Sequence, residues 1–303
     1  MSDDSTIVIT DIHAALNASD LEAQKKPAAF ITEGGELNGT LFDLPDGVTT
    51  FGRSTENTYT IEFDGISRKH LQVTVDDDSV KVEDCGSANG TYLNNDKLEG
   101  PTPLTKGAVI KLGSIAFRFL PKGDPERLAY DKLQKDANTD GLTQAYNKTY
   151  FNKKCDLEVR KSKVTGSPLS LIVFDLDLFK NLNDNFGHDA GDYVLKELSS
   201  IIRKNGVRDE DVFSRYGGEE FVILLPKTNL KHGFEIAERL RKLIEEHDFK
   251  YDGQTLPVTA SIGVADYRKG VEDGTDLFKR ADNAVYKSKE GGRNQVNFFR
   301  EDG

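Results

Sequence analysis

The sequence predicts a small antiparallel β-sandwich followed by a second domain of α/β or α+β type, and three observations point there. With 303 residues the chain is long enough for two ordinary cores. Period-two alternation runs from Pro27 to about Leu120 and then stops. Beyond Asp140, helically spaced apolar residues alternate with short apolar runs of strand length.

Composition narrows the function. Fifty-one acidic residues against 40 basic ones give a net charge of −11. Broad nucleic-acid binding relies on Lys and Arg to neutralise phosphates, so no nucleic-acid partner is expected. A single nucleotide substrate stays open, because one phosphate site needs only a few cations or a metal. No apolar run approaches the ~18 residues of a membrane span. The opening MSDDSTIVITDIH has no basic segment leading into an apolar one, unlike a secretory signal. A cytoplasmic protein without a membrane partner is expected. Cys85 and Cys155 lie far apart and suggest neither a disulfide framework nor a zinc site. Both read as small buried residues in a reducing compartment.

Taken in order, residues 1–26 carry Asp3, Asp4, Asp11, Asp20 and Glu22, with Ile7-Val8-Ile9 as the only apolar cluster of note. Too little surface can be buried there to offset ordering, so a flexible tail is expected. Over 27–121, Thr60-Ile61-Glu62-Phe63, Leu71-Gln72-Val73-Thr74-Val75, Val80-Lys81-Val82 and Ile115-Ala116-Phe117-Arg118-Phe119 alternate between Gly, Asp and Asn turns, as sandwich strands do. Over 122–139, Asp124-Pro125 reads as an N-cap followed by proline at the first helical position. A helix from there to about Asn138 is a short stalk of about 20 Å, without heptads. The second domain occupies 140–303. Leu169–Phe174, Phe221–Leu225 and Val258–Val264 read as strands there, and Val194–Ile202 and Phe234–Ile244 as helices.

Two stretches in that domain carry chemistry. In Phe174-Asp175-Leu176-Asp177-Leu178-Phe179-Lys180 an apolar strand ends in two acids that alternation puts on one face. Hard divalent cations take such carboxylates together with substrate phosphates. In Arg215-Tyr216-Gly217-Gly218-Glu219-Glu220-Phe221 the Gly-Gly pair predicts a tight hairpin turn, both glycines tolerating positive φ, followed at once by two acids.

Gly217-Gly218-Glu219-Glu220-Phe221 resembles the signature of the GGDEF family of bacterial diguanylate cyclases, in its GGEEF form. The resemblance covers about Asp140 to Phe299 and includes several further motifs in order. They are Asp140-Gly-Leu142-Thr143 with Asn147; Asp175 to Lys180 with Asn183-Asp184, His188, Gly191 and Asp192; and Ala281 to Tyr286 with Lys289 and Gly292-Arg293-Asn294. Lys148 departs from the family, where arginine is usual. The resemblance implies an α+β, nucleotidyl-cyclase palm-like fold that condenses two GTP into cyclic di-GMP plus two pyrophosphate. It implies two Mg²⁺ (or Mn²⁺) ions per active site, held by Asp175, Glu219 and the Leu176 carbonyl. Asn183 and Asp192 would read guanine. Lys180, Lys289 and Arg293 would neutralise the triphosphate, and Glu220 would sit by the reacting ribose hydroxyl.

A carboxylate suits the guanine role, since it accepts paired hydrogen bonds from guanine N1–H and the 2-amino group. Asp192 therefore disfavours a mixed-purine product. One domain binds one GTP, so catalysis implies a homodimer. Arg208 and Asp211 stand where the family places an Arg-x-x-Asp site for inhibitory product, and Arg239 where a second product-binding arginine is found. Arginine forks suit both the phosphates and the guanine edges of that product.

Gly52-Arg53, Ser67-Arg68-Lys69-His70 and Asn89-Gly90-Thr91, all in loops, together resemble the forkhead-associated (FHA) domain, a β-sandwich that reads phosphothreonine. By that resemblance Arg53, Ser67 and Arg68 contact the phosphate, Asn89 holds the ligand backbone, and Gly52 and His70 shape the loops. A Ser/Thr kinase or a phosphoprotein is the expected partner. Thr6 and Thr10 lie on the tail just before this domain, within easy reach as phosphorylated ligands. The competing expectation is a catalytically silent scaffold that binds GTP or cyclic di-GMP and docks phosphoproteins. Degenerate family members lose the hairpin acids or the first Asp, whereas this chain keeps Asp175, Glu219 and Glu220.

Overall fold

Alternating strands can hide one apolar face only by pairing into sheets that stack on each other. In the computed structural model, which describes residues 25–34, 37–77, 79–268 and 270–300, the first hundred described residues do so. Thr6, Thr10 and all of the expected tail up to residue 24 lie outside the described residues. The strands are β1 Ala28–Glu33, β2 Leu41–Leu44, β3 Gly47–Gly52, β4 Tyr59–Thr60, β5 Leu71–Asp76, β6 Ser79–Asp84, β7 Thr91–Leu93, β8 Asp96–Lys97, β9 Thr102–Pro103, β10 Val109–Leu112 and β11 Ile115–Leu120. They form two sheets, in the orders β2-β1-β11-β10-β7-β8 and β4-β3-β5-β6-β9. Between them lies an aromatic core in which the Phe30 ring is 5.6 Å from Phe51 and 5.9 Å from Phe117.

One pairing corrects the purely antiparallel expectation: β3 and β4 are parallel, with Phe51 opposite Tyr59. The chain loops back through residues 53–58 instead of turning as a hairpin. Asn57 fixes that loop, its Nδ2 donating to the carbonyls of Ser54 and Arg68.

Helix α1, Pro125–Asn138, begins where Asp124 accepts the Glu126 N–H at 3.0 Å. Its first turns are bound to the sandwich. Arg127, with a 7% exposed side chain, reaches Asp43 at 2.6 Å and Asp131 at 2.9 Å. Arg118 on β11 donates to Glu33, Glu126 and Tyr130. The chain divides into two compact units between Lys135 and Asp136.

The second unit is α+β. Its elements are β12 Tyr146–Asn147, α2 Lys148–Thr165, β13 Leu169–Leu176, α3 Phe179–Phe186, α4 His188–Asn205, β14 Val212–Gly217, β15 Glu220–Pro226, α5 Leu230–Glu246, β16 Lys250–Tyr251, β17 Gln254–Thr255, β18 Ala260–Asp266, α6 Gly274–Glu290 and β19 Val296–Phe298. Six strands form one sheet in the order β12-β14-β15-β13-β18-β19. β13 is central and covered on both faces, which is why it reads as an apolar run and not as an alternation. Ile172 and Phe174 pack with Val194, Leu198, Leu240 and Ile244 from α4 and α5. Leu171 and Val173 face the other way, packing with Phe151, Val159, Leu277 and Ala281 from α2 and α6. Cys155 belongs to that second layer, and burial pushes its thiol up to about 12. Cys85 is only half-buried, against expectation, because it follows the last residue of an edge-proximal strand beside a loop.

Helix α6 lies directly on the backbone of β18. A Cβ at Gly263 would overlap the Ala281 carbonyl and stand within 2.9 Å of Ala284 C. Both neighbours are backbone and cannot rotate away. We expect Gly263→Ala to destabilise the second unit by about 1–3 kcal/mol. In calorimetry of the full chain its transition should fall by about 2–4 °C per kcal/mol. An unchanged transition would mean the helix is free to move off the strand.

Candidate active site

The site is organised at one end of the central strands. Register sets Asp175 of β13 opposite Glu220 on one side and opposite Ser261 on the other. β14 and β15 join in a hairpin with Gly217 paired to Glu220, leaving Gly218 and Glu219 as the turn. Only Gly218 of the glycine pair has positive φ, 51°, correcting the expectation for both. Gly217 stays in the strand beside a bulge at Arg215–Gly217, which absorbs the irregularity. Arg215 braces this hairpin by donating to the Gly218 carbonyl at 2.8 Å and to Asp140 at 3.1 Å. Arg215 and Asp140 both lie in motifs quoted from the sequence, but the sequence assigned neither a role and did not pair them.

Carboxylates crowd here. Asp175 has a 13% exposed side chain and is paired with Lys289 Nζ at 2.9 Å. Burial pushes its carboxyl above the usual range; Lys289 opposes this, while Glu219 and Asp177 add to it. Glu220 is also raised, by burial first and then by Asp175 and Asp282. The backbone N–H of Leu176 meets the Glu219 carbonyl at 3.4 Å, closing the strand end against the hairpin turn. Among the described residues no group of three or more His, Cys, Asp and Glu side chains has metal-holding geometry. Two carboxylates and a carbonyl nevertheless fit Mg²⁺, which usually takes one or two carboxylates and leaves positions for water and phosphate.

β13 runs into α3 through Leu178, a non-glycine residue at φ 56°. Such strain, about 1–3 kcal/mol, persists where the surroundings over-determine it. Lys180 follows in the first turn of α3, with its side chain exposed. Asn183 on α3 packs against Gly191 of α4, the residue before Asp192, across the α3–α4 turn at Gly187. A Cβ at Gly191 would strike the Asn183 Oδ1. That Oδ1 is buried and has no hydrogen-bond partner. A buried orphan acceptor of this kind marks a place for a ligand or a water.

Arg208 and Asp211 lie in the loop before β14. Asp211 Oδ2 accepts the Arg208 N–H at 2.8 Å, while its Oδ1 is buried without a partner. Burial raises the Asp211 carboxyl, against the lowering pull of Arg208 and Arg239. Arg208 and Arg239 share the lining of a cavity of about 400 Å³. Sequence reasoning missed three of its other lining residues, Lys227, His232 and Glu235. Lys227 carries the one available signal, a lysine directly after the Pro226 that ends β15.

In the first unit Arg53, Ser67 and Arg68 line a cleft of about 910 Å³ together with Ser54, Asn57 and Lys69. Gly52 is required there because a Cβ would overlap the Arg68 carbonyl. His70 is fully buried: Nδ1 accepts the Ser67 N–H at 3.1 Å, and Nε2 lies 3.3 Å from the Gly90 carbonyl. Ser67 Oγ in turn accepts the Ala88 N–H at 3.0 Å. Asn89 donates to the Gly65 carbonyl at 2.9 Å and lies outside the lining of that cleft.

This α+β domain thus carries an acidic centre at the end of an antiparallel core strand, with Lys289 of the adjoining helix paired to it. Residues 137–295 match the family model described as "Diguanylate cyclase, GGDEF domain", and residues 49–113 match "FHA domain". The chain therefore belongs to the GGDEF-domain diguanylate cyclase family and carries an FHA domain ahead of it. It is 47% identical over 128 residues to diguanylate cyclase A of Treponema denticola, a match covering 42% of this chain and 34% of that protein. It is 41% identical over 162 residues to response regulator PleD of Caulobacter vibrioides, covering 53% of this chain and 36% of the other. The match thus spans only about a third of these relatives' length. Among solved structures, the coiled coil and GGDEF domain of DgcB from Caulobacter crescentus superimposes with a TM-score of 0.54 at 31% identity. That alignment covers 57% of this chain and 91% of the other. Diguanylate cyclase SiaD from Pseudomonas aeruginosa gives 0.53 at 34% identity, covering 57% and 66%. Among the described residues no helix is long and apolar enough to cross a membrane.

His70 yields a pH prediction. Burial lowers its pKa from 6.5, outweighing the carbonyl of Gly90 and the charge of Asp84. The unfolded chain then takes up the proton first, so stability held above pH about 6.5 is lost as pH falls below it. Urea midpoints of the first unit's transition should decline between about pH 7.5 and about pH 5.5. A His70→Gln chain should lack that part of the decline.

Proposed function

We propose that this chain is a diguanylate cyclase, condensing two GTP into cyclic di-GMP and two pyrophosphate as a homodimer. One observation carries the reading: the strand register gathers Asp175, Glu219, Glu220 and Lys289 at one sheet end. The DgcB structure was solved with c-di-GMP, which adds support for a guanine dinucleotide ligand. Asn183 and Asp192 select guanine, and the unpartnered Asn183 Oδ1 suits a base as ligand. Lys180, Lys289 and Arg293 meet the triphosphate. Glu220 lies by the ribose 3′-hydroxyl, orienting it and taking its proton as the oxygen bonds to the α-phosphorus and pyrophosphate departs. Its raised carboxyl makes it a stronger base than an ordinary glutamate. Asp175, Glu219 and the Leu176 carbonyl would hold Mg²⁺ or Mn²⁺, two ions per site, which supply charge neutralisation at the phosphates. Each domain binds one GTP, so two must face each other.

Arg208, Asp211 and Arg239 bind the product and inhibit. The FHA domain over 27–121 reads phosphothreonine through Arg53, Ser67, Arg68 and Asn89, on a partner protein or on Thr6 or Thr10 of the tail. It thereby couples the catalytic domain over 140–303, through the segment 122–139, to a Ser/Thr kinase.

The deciding experiment incubates the full chain with GTP and Mg²⁺ and quantifies cyclic di-GMP by mass spectrometry, before and after kinase treatment. Glu220→Gln should lower kcat by a factor of about 10² or more. No product from the unaltered chain in either state would replace the cyclase by the silent scaffold. Product formation indifferent to phosphorylation would keep the enzyme and leave the FHA domain a docking module.

Product inhibition carries a second prediction. The ionised Asp211 carboxylate is the form that accepts guanine N–H groups, and burial raises its pKa. Cyclic di-GMP affinity should therefore weaken on acidification sooner than it would with an aspartate of ordinary pKa. In an Asp211→Asn chain the affinity should be low throughout and flat with pH.

A further inference from the structure

Asp177 is a carboxylate beside the acidic centre that the proposed reaction does not use. It is half-buried and fully engaged. Its Oδ2 accepts the Thr259 hydroxyl at 2.8 Å and the Asn294 backbone N–H at 3.0 Å, and its Oδ1 accepts the Ser261 hydroxyl at 2.6 Å. Its own N–H donates to the Thr259 carbonyl at 2.9 Å. Asn294 belongs to the turn after α6, where Gly292, Arg293 and Asn294 all have positive φ, at 113°, 67° and 44°. Two consecutive non-glycine residues in the left-handed region are strained and need outside support. That support comes from three directions. Asp177 holds the Asn294 N–H, Ser288 O holds the Arg293 N–H at 3.0 Å, and Arg241 and Glu245 hold the Asn294 side chain at 3.0 and 2.7 Å.

We propose that Asp177 is the positioning residue of the triphosphate arm: its carboxylate fixes the left-handed Arg293–Asn294 turn and thereby sets where Arg293 meets the nucleotide. This rests on the reading that Arg293 binds the triphosphate. The three hydrogen bonds occupy the carboxylate oxygens, so Asp177 acts through the turn and leaves metal binding to its neighbours. Asparagine replaces it poorly, because its neutral amide has one acceptor oxygen. The Ser261 hydroxyl would have to turn from donor to acceptor, and the charge that strengthens all three bonds would be lost.

The test is a double-mutant cycle on the full chain, reading affinity for the slowly reacting analogue GTPαS by titration calorimetry in Mg²⁺. Asp177→Asn and Arg293→Ala should each weaken binding by about tenfold, and the double variant by little more than either alone. Steady-state assay of Asp177→Asn should show a raised KM for GTP. A melting temperature above the assay temperature separates that change from loss of folded protein. Should Asp177→Asn fail to fold, Ser261→Ala removes one donor and keeps the carboxylate, and it should weaken GTPαS binding several-fold in the same coupled manner.

Losses that multiply in the double variant, or an Asp177→Asn chain that binds GTPαS normally, overturn the proposal. So does a selective loss of Mn²⁺ binding in Asp177→Asn with GTPαS absent, which would make Asp177 a metal ligand. If Arg293→Ala alone binds GTPαS like the unaltered chain, the triphosphate role of Arg293 is what fails.

Discussion

Everything at the catalytic end hangs on the backbone register of β13 between β15 and β18. Seven residues on each side are paired without slippage, from Leu169 opposite Pro226 to Asp175 opposite Glu220, and from Ser170 opposite Asp266 to Leu176 opposite Ala260. Because side chains alternate, a slip of one residue would turn Ile172 and Phe174 out of one core layer and Leu171 and Val173 out of the other. Two full hydrophobic layers thus oppose any slip. The same register that fills them brings four carboxylates, Asp175, Asp177, Glu219 and Glu220, within reach of one another. Core packing supplies what charge repulsion would otherwise undo, and Lys289 offsets part of the remaining repulsion from the end of α6.

Much of this was legible in the sequence, and the reasons are particular. The apolar run at 169–174 read as a strand from its length, and alternation put Asp175 and Asp177 on one face at its end. Leu198, Ile201 and Ile202 marked the buried side of α4, and all three are buried. The loop motifs around Arg53, Ser67 and Arg68 stood out through their resemblance to the FHA domain, and they line one cleft. What escaped was long-range hydrogen bonding, which leaves no periodic trace. Arg215 meets Asp140 across 75 positions, and Asp177 meets Asn294 across 117. Thr259 and Ser261 look like ordinary strand residues until their hydroxyls are seen on Asp177. Sequence also gave no warning that β4 would return parallel to β3, since that depends on Asn57 spanning to Arg68.

The two units solve one problem in different ways. Under the proposed function, each must hold a loop rigid enough to meet a phosphate while leaving the loop's donors open. In the sandwich a buried neutral imidazole does this, His70 tying the Ser67 and Gly90 segments from beneath. In the α+β unit a carboxylate does it, Asp177 gathering β18 and the turn after α6. The imidazole can act as both donor and acceptor, which suits a pairing of one N–H with one carbonyl. The carboxylate only accepts, which suits a convergence of three donors.

The attachment of α1 bears on how such chains are cut and rejoined. Arg118 of β11 reaches forward to Glu126 and Tyr130 of the helix, and Arg127 of the helix reaches back to Asp43. Ending a fragment at Leu120 would strip Arg118 of two partners and expose the seat of Arg127. The seam for exchanging the first module in a designed chimera thus lies at Lys135–Asp136, about three turns into the helix that follows the last strand of the sandwich.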